Sequence, residues 1–286
     1  MLRETDRVAL VKLLSDDDAT VLRLLEEKFV EMGPDGRRFL RSVMQDAGPG
    51  ARRGARQVLL ALLERESYEV FARFCATCGN RFDLEPGCWL LAKTRYPELD
   101  EAPYHVRLDE MAHELKERLT GRESPRATVE VCNRYFFRKL GFRGNEDDYY
   151  DPDNSYLNRV LDRRLGIPIS LSVLYLLVGW RLGLPLQGVN LPGQFLLKWG
   201  SGQAPFFVDP FNEGQLLEQE DCKELCEHLG YGFNPAYLTE ATSCQILLRM
   251  CRNLRAIHLE SDPDRTAHLD HFIALLARRP DQTTHS

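Results

Sequence analysis

The sequence has no apolar run long enough to cross a membrane and no excess of basic residues. The longest nearly continuous apolar run covers residues 167–180, whereas a membrane-spanning helix needs about 20 residues. The 37 Lys and Arg residues against 43 Asp and Glu residues give a formal net charge of -6 at pH 7. This balance predicts neither a nucleic-acid nor a membrane partner. The N-terminal residues carry a charge every few positions and lack a small-residue cleavage site, which argues against a secretory signal.

Histidine and cysteine are both missing from the centre of the chain. No histidine occurs between His113 and His228, and no cysteine occurs between Cys132 and Cys222. The central segment therefore contains neither half of the cysteine–histidine pair on which thiol-based acyl transfer depends.

The eight cysteines predict reduced thiols in a cytoplasmic protein, packed mostly as small apolar side chains. Cys75 and Cys78 have the spacing of metal ligands, and Cys88 follows ten residues later. A fourth ligand is missing nearby, because the next His or Cys is His105. We therefore expect no metal and no cofactor, with a zinc site at the three cysteines as the alternative.

Hydrophobic periodicity divides the chain into three predicted segments. Residues 1–66 form helical units that repeat at about 30 residues, a period typical of HEAT-like pairs of helices. Residues 67–235 contain further helices and then a core of mixed structure. Residues 236–286 predict a helical hairpin, split by a turn at residues 261–264.

The core predicts one buried helix followed by three short strands. A polar, turn-rich link at residues 141–157 precedes a helix that ends at Gly166, and Asn154 or Ser155 is the expected cap of that helix. Pro168 opens the next helix, which is apolar around nearly its whole circumference. LQGVN, QFLLKW and APFFVDPF then read as strands, and from residue 216 the chain reads as helix again. The fold class is α+β, mostly helical, with a small antiparallel sheet.

A helix whose N-terminus faces antiparallel strands is the arrangement with which papain-like and transglutaminase-like enzymes build their sites. Such sites need a nucleophile at the helix start, a base on the next strand and an orienting acid beyond it. Ser170, Gln194 and Asp209 occupy these three positions here. Because a Gln amide is not basic near neutral pH, the site lacks a base, and loss of a triad member typically costs ~10⁴-fold in turnover.

Two interpretations of these residues follow. In the first, Ser170 caps the apolar helix and the amide of Gln194 donates to Asp209 or to a backbone carbonyl, with help from Arg163, Arg164 or Asn154. In the second, the same groups line a pocket that binds a carbonyl or a peptide without cleaving it. A base brought from elsewhere in the chain is a further alternative, and its candidates are His105, His113 and His228. The candidates for lining a pocket are Asn154, Ser155, Arg164, Pro168, Gly193 and Phe211.

Long motifs in fixed order resemble one family. DYYDPDNSYLNRVLDRRLGIPISLSVLY, RLGLPLQGVNLPGQFLLKW and FVDPF look like the SirB family, a branch of the transglutaminase-like superfamily. The resemblance covers residues from about 85 to 218 and implies a transglutaminase-like core with tetratricopeptide-like helices at the C-terminus. The family's usual Pro-Gly-His-Phe is Pro-Gly-Gln-Phe here, so Gln194 replaces its histidine. The family also lacks the cysteine of the superfamily at the helix start.

The sequence therefore predicts a non-catalytic binding or scaffolding protein of the cytoplasm, whose helical flanks contact partner proteins. The rival hypothesis is a hydrolase or acyl transferase with an altered site that uses Ser170 and Asp209.

Overall fold

The computed structural model describes residues 3–16, 18–200 and 205–278. The α-helices are α1 (Glu4–Leu14), α2 (Ala19–Asp46), α3 (Pro49–Thr77), α4 (Leu84–Lys93), α5 (Ala102–Lys116), α6 (Pro125–Asn133), α7 (Leu157–Arg163), α8 (Pro168–Arg181), α9 (Gln219–His228), α10 (Ser243–His258) and α11 (Pro263–Ala277). The strands are β1 (Arg143–Gly144), β2 (Leu165–Gly166), β3 (Leu186–Val189), β4 (Leu196–Trp199), β5 (Phe207–Asp209) and β6 (Gln215–Leu217). Among the helices in these ranges, none combines the length and the apolar character needed to cross a membrane.

The chain divides into two compact units. The first contains Met1–Val70 and Lys93–Leu99, and the second contains Phe71–Ala92 and Asp100–Ser286. Helix α3 contributes residues to both units. The three segments expected from the sequence, 1–66, 67–235 and 236–286, stay a prediction.

The first unit is helical, as the sequence predicted. Helix α2 is kinked at Gly33, whose φ of 55° is accessible to glycine at little cost, and Pro34 follows directly. Helices α1 and α3 approach so closely at Gly54 that a Cβ there would lie 2.0 Å from the carbonyl oxygen of Leu14. The side chains of its core are Leu14, Leu22, Leu25, Phe29, Phe39, Leu40, Val43, Ala51, Ala55, Val58, Leu59 and Leu62.

The second unit is built around α8. Residues 168–179 of this helix are all buried, because their sequence PISLSVLYLLVG is apolar on every face. Helix α8 contacts α5, α7, α10 and strands β3 and β4. The predicted buried helix packed on a small antiparallel sheet is therefore confirmed, and so is the mostly helical α+β class.

The antiparallel sheet has the order β3-β4-β5-β6, one strand more than the sequence predicted. The missed strand is β6, which lies where the sequence was expected to return to helix, and it pairs with β5 in the register Asp209↔Gln215. Its three residues are too few to show a period of two. A second small sheet pairs β1 with β2 in parallel.

The polar link before α7 differs from the sequence expectation. The residue before the first turn of α7 is Tyr156, and no side chain caps that end. Asn154 and Ser155, the expected caps, are buried with 0% and 1% of their surfaces exposed. A short 3₁₀ turn, Pro152–Asn154, is capped instead by Asp151, whose carboxylate accepts from the backbone N–H of Asp153 at 2.9 Å.

The predicted C-terminal hairpin consists of α10 and α11, and the turn between them covers residues 259–262 rather than the predicted 261–264, because Pro263 begins α11. Helix α10 begins with a capping box, in which Thr242 Oγ1 accepts from the N–H of Gln245 and the Gln245 side chain accepts from the N–H of Thr242. The ring of Phe272 on α11 packs edge-on against Phe71 of α3, with centroids 4.7 Å apart.

Candidate functional site

Ser170 lies in the first turn of α8 and is bonded only to the backbone in the described residues. Its Oγ accepts from the N–H of Ile167 at 3.0 Å and lies 2.6 Å from the carbonyl oxygen of Asn154, to which it donates. This is one half of a capping box, in which the side chain of the N3 residue bonds to the backbone N–H of the N-cap residue. The other half is absent, because Ile167 has no side-chain acceptor for the N–H of Ser170. The predicted capping role is therefore present, three residues inside the helix rather than at its cap. Only 1% of Ser170 is exposed.

Asn154 organises the polar link above this helix start. Its Nδ2 donates to the carbonyl oxygen of Asp148 at 2.7 Å, and its Oδ1 accepts from Asn145 Nδ2 at 2.9 Å. Asn145 in turn donates its N–H to the carbonyl oxygen of Gly166 at 2.9 Å. These bonds fix the backbone that receives the hydroxyl of Ser170. The neighbouring Ser155 Oγ is buried and has no hydrogen-bond partner among the described residues.

Asp209, at the end of β5, closes its own turn. Its Oδ1 accepts from the N–H of Phe211 at 3.0 Å, and its Oδ2 accepts from Asn212 Nδ2 at 2.7 Å. Burial raises the pKa of Asp209, although the hydrogen bonds from Asn212 and Phe211 oppose that shift. The donors suggested by the sequence are not the ones used: Arg163 pairs with Asp151, at 2.6 Å.

Gln194 lies in the turn before β4 and does not take the role expected of it. Its N–H donates to the carbonyl oxygen of Leu191 at 3.1 Å. Its side-chain oxygen Oε1 is buried without a hydrogen-bond partner in the described part of the chain. The residue after it, Phe195, accepts from Ser172 Oγ of α8 at 3.2 Å. Helix α8 and this turn are thus joined through Ser172, whereas Ser170 points to the polar link.

A second, partly buried chain of hydrogen bonds supports the turn of Asp209. Tyr175 of α8 donates its hydroxyl to Asn133 Oδ1 at 3.1 Å, and Asn133 Nδ2 donates to the carbonyl oxygen of Gly214 at 2.6 Å. Gly214 closes the link by donating its N–H to the carbonyl oxygen of Asp209 at 2.8 Å. Sequence reasoning missed Asn133, Asn145 and Asn212, because single asparagines outside a motif carry no signal of a partner far along the chain.

The remaining pocket candidates fall into different environments. Pro168 is buried at the start of α8, whereas Arg164 is exposed and ends α7 in the left-handed conformation, with φ of 60°. Gly193 is exposed with φ of 76°. Phe211 is half-buried, and its ring packs on the backbone of Gly144, where a Cβ would lie 2.6 Å from it.

The histidines considered as a distant base are engaged elsewhere or exposed. His105 Nδ1 lies 2.6 Å from Glu85 Oε1, and its ring packs edge-on against Trp89. His113 is exposed and lies near Glu117, with 3.6 Å between Nε2 and Oε1. His228 lies in the last turn of α9. The partners of Ser170 within the described residues are backbone groups, and none of these imidazoles is among them.

The cysteines considered as metal ligands are buried thiols. Cys75 lies in the last turn of α3, Cys78 directly follows that helix and Cys88 lies in α4; none of the three is in a disulfide bond. Burial raises the pKa of Cys75 and of Cys88 far above the ordinary range, which favours the thiol over the metal-binding thiolate. Within residues 3–16, 18–200 and 205–278, no group of three or more His, Cys, Asp or Glu side chains is placed to hold a metal ion.

Helix α8 and strands β3 to β6 lie within the segment that matches a known family. The family profile described as the transglutaminase-like superfamily matches residues 102–252, which is 151 of the 286 residues. A UPF0162 protein from Xylella fastidiosa is 38% identical over 201 residues, covering 67% of this chain and 71% of the relative. The chain belongs to the transglutaminase-like superfamily and to the UPF0162 proteins.

Two other relatives show how widely this region recurs. A UPF0162 protein from Vibrio cholerae is 37% identical over 147 residues, covering 50% of this chain and 54% of the relative. F-box only protein 21 from Mus musculus is 35% identical over 164 residues, covering 54% of this chain but only 26% of that protein. About half of this chain is thus similar to a small part of a longer protein. No solved structure gives a significant match to the chain.

Proposed function

We propose that this member of the transglutaminase-like superfamily is a binding module that does not catalyse acyl transfer or hydrolysis. The observation that carries the proposal is the state of Ser170, whose hydroxyl is bonded to the backbone of Ile167 and Asn154 and is 1% exposed. A nucleophile must reach its substrate and must lose its proton to a base. Ser170 has neither property.

The other two positions support the same proposal. An amide at Gln194 has no lone pair that accepts a proton near neutral pH. The carboxylate oxygens of Asp209 accept hydrogen bonds from Phe211 and Asn212. Asp209 therefore stabilises a turn, whereas the acid of a catalytic triad orients an imidazole.

The rival function is a hydrolase or acyl transferase that uses Ser170 and Asp209. It requires the hydroxyl of Ser170 to leave two buried backbone groups without partners, which costs about 1–3 kcal/mol for each group. Among the described residues, no hydrogen bond between the two side chains offsets that cost. The binding module is therefore the better supported function.

Further parts of the proposal concern family, place and partners. The long motifs in fixed order that end in Asp-Pro-Phe favour the SirB branch of the superfamily, although Gln194 departs from its usual Pro-Gly-His-Phe. Eight buried cysteines without a disulfide bond among them favour the reducing cytoplasm. The HEAT-like N-terminal helices and the tetratricopeptide-like hairpin α10–α11 are proposed to contact partner proteins, because helical repeats commonly offer such surfaces. The similarity of 54% of this chain to 26% of F-box only protein 21 supports a module that combines with other sequence.

The test is a turnover assay on three matched proteins. Purified wild type, Ser170→Ala and Ser172→Ala are compared for amine transfer to a glutamine peptide and for hydrolysis of peptide and ester substrates. Ser172 is the control because it is buried in the same helix and also donates to a backbone carbonyl. We expect no turnover above the heat-denatured protein in any of the three. Turnover that Ser170→Ala abolishes and Ser172→Ala retains would refute the proposal.

A further inference from the structure

Exposed aromatic and apolar side chains lie around the turn that contains Gly193. Tyr149 and Tyr150 of the polar link are 37% and 73% exposed, and Leu229 and Tyr231, after α9, are 44% and 48% exposed. A Cβ on Gly193 would lie 2.7 Å from Leu229 Cδ1 and 3.7 Å from Tyr231 Cε2. We call the four side chains Tyr149, Tyr150, Leu229 and Tyr231 the aromatic rim. Large apolar side chains left in solvent at one place are typical of an interaction site.

Arg249 of α10 links the two sides of the rim. Its Nη1 donates to Asn190 Oδ1 and, at 3.4 Å, to the carbonyl oxygen of Leu191, the same oxygen that accepts from the N–H of Gln194. The guanidinium also lies close enough to Tyr149 and Tyr231 to interact electrostatically with both. Tyr149 in turn packs edge-on against Phe211, with centroids 6.0 Å apart. The rim, the Gly193 turn and Phe211 therefore form one surface around Arg249.

Arg249 differs from the other half-buried arginines of this unit because it has no carboxylate partner among the described residues. Arg181 pairs with Glu85 at 2.7 Å, and Arg163 pairs with Asp151 at 2.6 Å. Arg252, three residues further along the same helix, carries a charge of the same sign. Burial and this like charge both lower the pKa of Arg249, so the site favours a negative charge from outside the chain.

The composition of this surface also indicates the kind of ligand. Tyrosine and arginine are enriched among the residues that dominate binding energy at protein interfaces. A guanidinium presents a planar fork of donors that matches a carboxylate, and the pairing is strong when the group is partly removed from water. Aromatic side chains beside it provide apolar contact for the rest of a peptide.

We propose that the aromatic rim and Arg249 bind an acidic segment of a partner protein, with a carboxylate of the segment paired to Arg249 and its apolar side chains on the rim. This inference rests on the proposed function, because it assigns a ligand class to the surface beside Gln194 on the premise that the module binds and does not cleave. Because the chain carries a net charge of -6, the protein as a whole does not attract an acidic ligand, and the attraction proposed is the local one to Arg249.

The test is selection of binders from a random dodecapeptide phage library on immobilised wild type. We expect the selected peptides to be enriched in Asp or Glu next to apolar residues. The highest-ranking peptide is then synthesised, and its Kd is measured by fluorescence anisotropy. Arg249→Gln and Tyr150→Ser are each expected to weaken binding about tenfold or more.

Two further variants, together with the exposure of Tyr150, keep the result interpretable. Arg255→Gln is the matched control, because Arg255 lies on the same helix but pairs with Asp270, and it is expected to change Kd less than twofold. Arg249→Lys keeps the charge and loses the fork, so intermediate binding is expected. Tyr150→Ser alters a residue that is 73% exposed, so lost binding there cannot come from an unfolded protein.

Several outcomes would overturn the inference. They are a failure to enrich any peptide, enrichment of peptides without acidic residues, and binding that Arg249→Gln leaves unchanged. A melting temperature raised by inorganic phosphate in the wild type and not in Arg249→Gln, with no peptide selected, would identify a free anion as the ligand and would also overturn it. Each of these results leaves the non-catalytic proposal standing, whereas turnover that depends on Ser170 refutes that proposal without touching the peptide data.

Discussion

Replacing Ser170 with alanine should weaken the fold while leaving chemistry unchanged. The substitution removes the hydroxyl that accepts from the N–H of Ile167 at 3.0 Å and donates to the carbonyl oxygen of Asn154 at 2.6 Å. Ile167 and Asn154 are 2% and 0% exposed, so water does not reach either backbone group in the variant. Both groups lose a partner that nothing replaces.

The expected loss follows from these two contacts. A buried polar group left without a partner costs about 1–3 kcal/mol, and loss of a helix-capping bond costs about 0.5–2 kcal/mol. Ser170→Ala should therefore lower the free energy of unfolding by about 2–4 kcal/mol. Ser172 donates a single bond to the carbonyl oxygen of Phe195, at 3.2 Å, so Ser172→Ala should cost about 1 kcal/mol.

Tryptophan fluorescence in urea suits this measurement. All three tryptophans, Trp89, Trp180 and Trp199, lie in the second unit, so the signal reports on the unit that contains α8. The free energies of unfolding of the two alanine variants are compared with that of the wild type. The comparison requires that all three proteins have the same m-value, the slope of the unfolding free energy against urea concentration. A Ser170→Ala protein within about 0.5 kcal/mol of the wild type, or no less stable than Ser172→Ala, would refute the structural role of this hydroxyl.

Three further predictions concern the turn of Asp209 and the residue at the histidine position. Gly214→Ala should destabilise the fold by more than Gly141→Ala, as measured by urea unfolding. Both glycines have positive φ (80° and 75°), but of the two only Gly214 would place a Cβ against a side chain, that of Asn133 at 2.2 Å. Equal losses of stability would contradict this. Burial raises the pKa of Asp209 above its ordinary 3.8. The stability of the wild type relative to Asp209→Asn should therefore be greatest below pH 3.8, fall as the pH rises through the folded-state pKa, and then level off. A stability difference that grows with pH would count against this prediction. Gln194→His should show no turnover in the ester and amine-transfer assays, since the hydroxyl of Ser170 stays bonded to the backbone; measurable turnover would show that only the base was missing.

The sequence predicted the elements whose signals are local. The apolar run that became α8, the three strands bounded by Gly or Pro, and the C-terminal hairpin were all predicted, because hydrophobic periodicity and turn residues act over a few positions. Strand β6 was missed because it carries no such local signal. Its three residues pair with β5 through the tight turn that Asp209 closes, and a strand this short has no pattern of its own.

The candidate site was harder to predict, because its contacts join distant positions. The sequence placed Ser170, Gln194 and Asp209 in one constellation, but the partners they use are Asn154, the backbone of Leu191, and Asn212. An asparagine bonds many kinds of group, so its partner depends on the folded chain. Arg249 lies 55 residues beyond Gln194, in a helix that the sequence identified only as part of a hairpin.

The most direct test of a structural Ser170 is its reactivity toward a serine-directed probe. The folded protein is incubated with a fluorophosphonate, which forms a covalent adduct with activated serine hydroxyls, and intact-mass and peptide mass spectrometry locate any adduct. With the hydroxyl bonded to Ile167 and Asn154, we expect no phosphonylation of Ser170 until the protein is unfolded. Stoichiometric labelling of Ser170 in the folded protein would contradict the central claim.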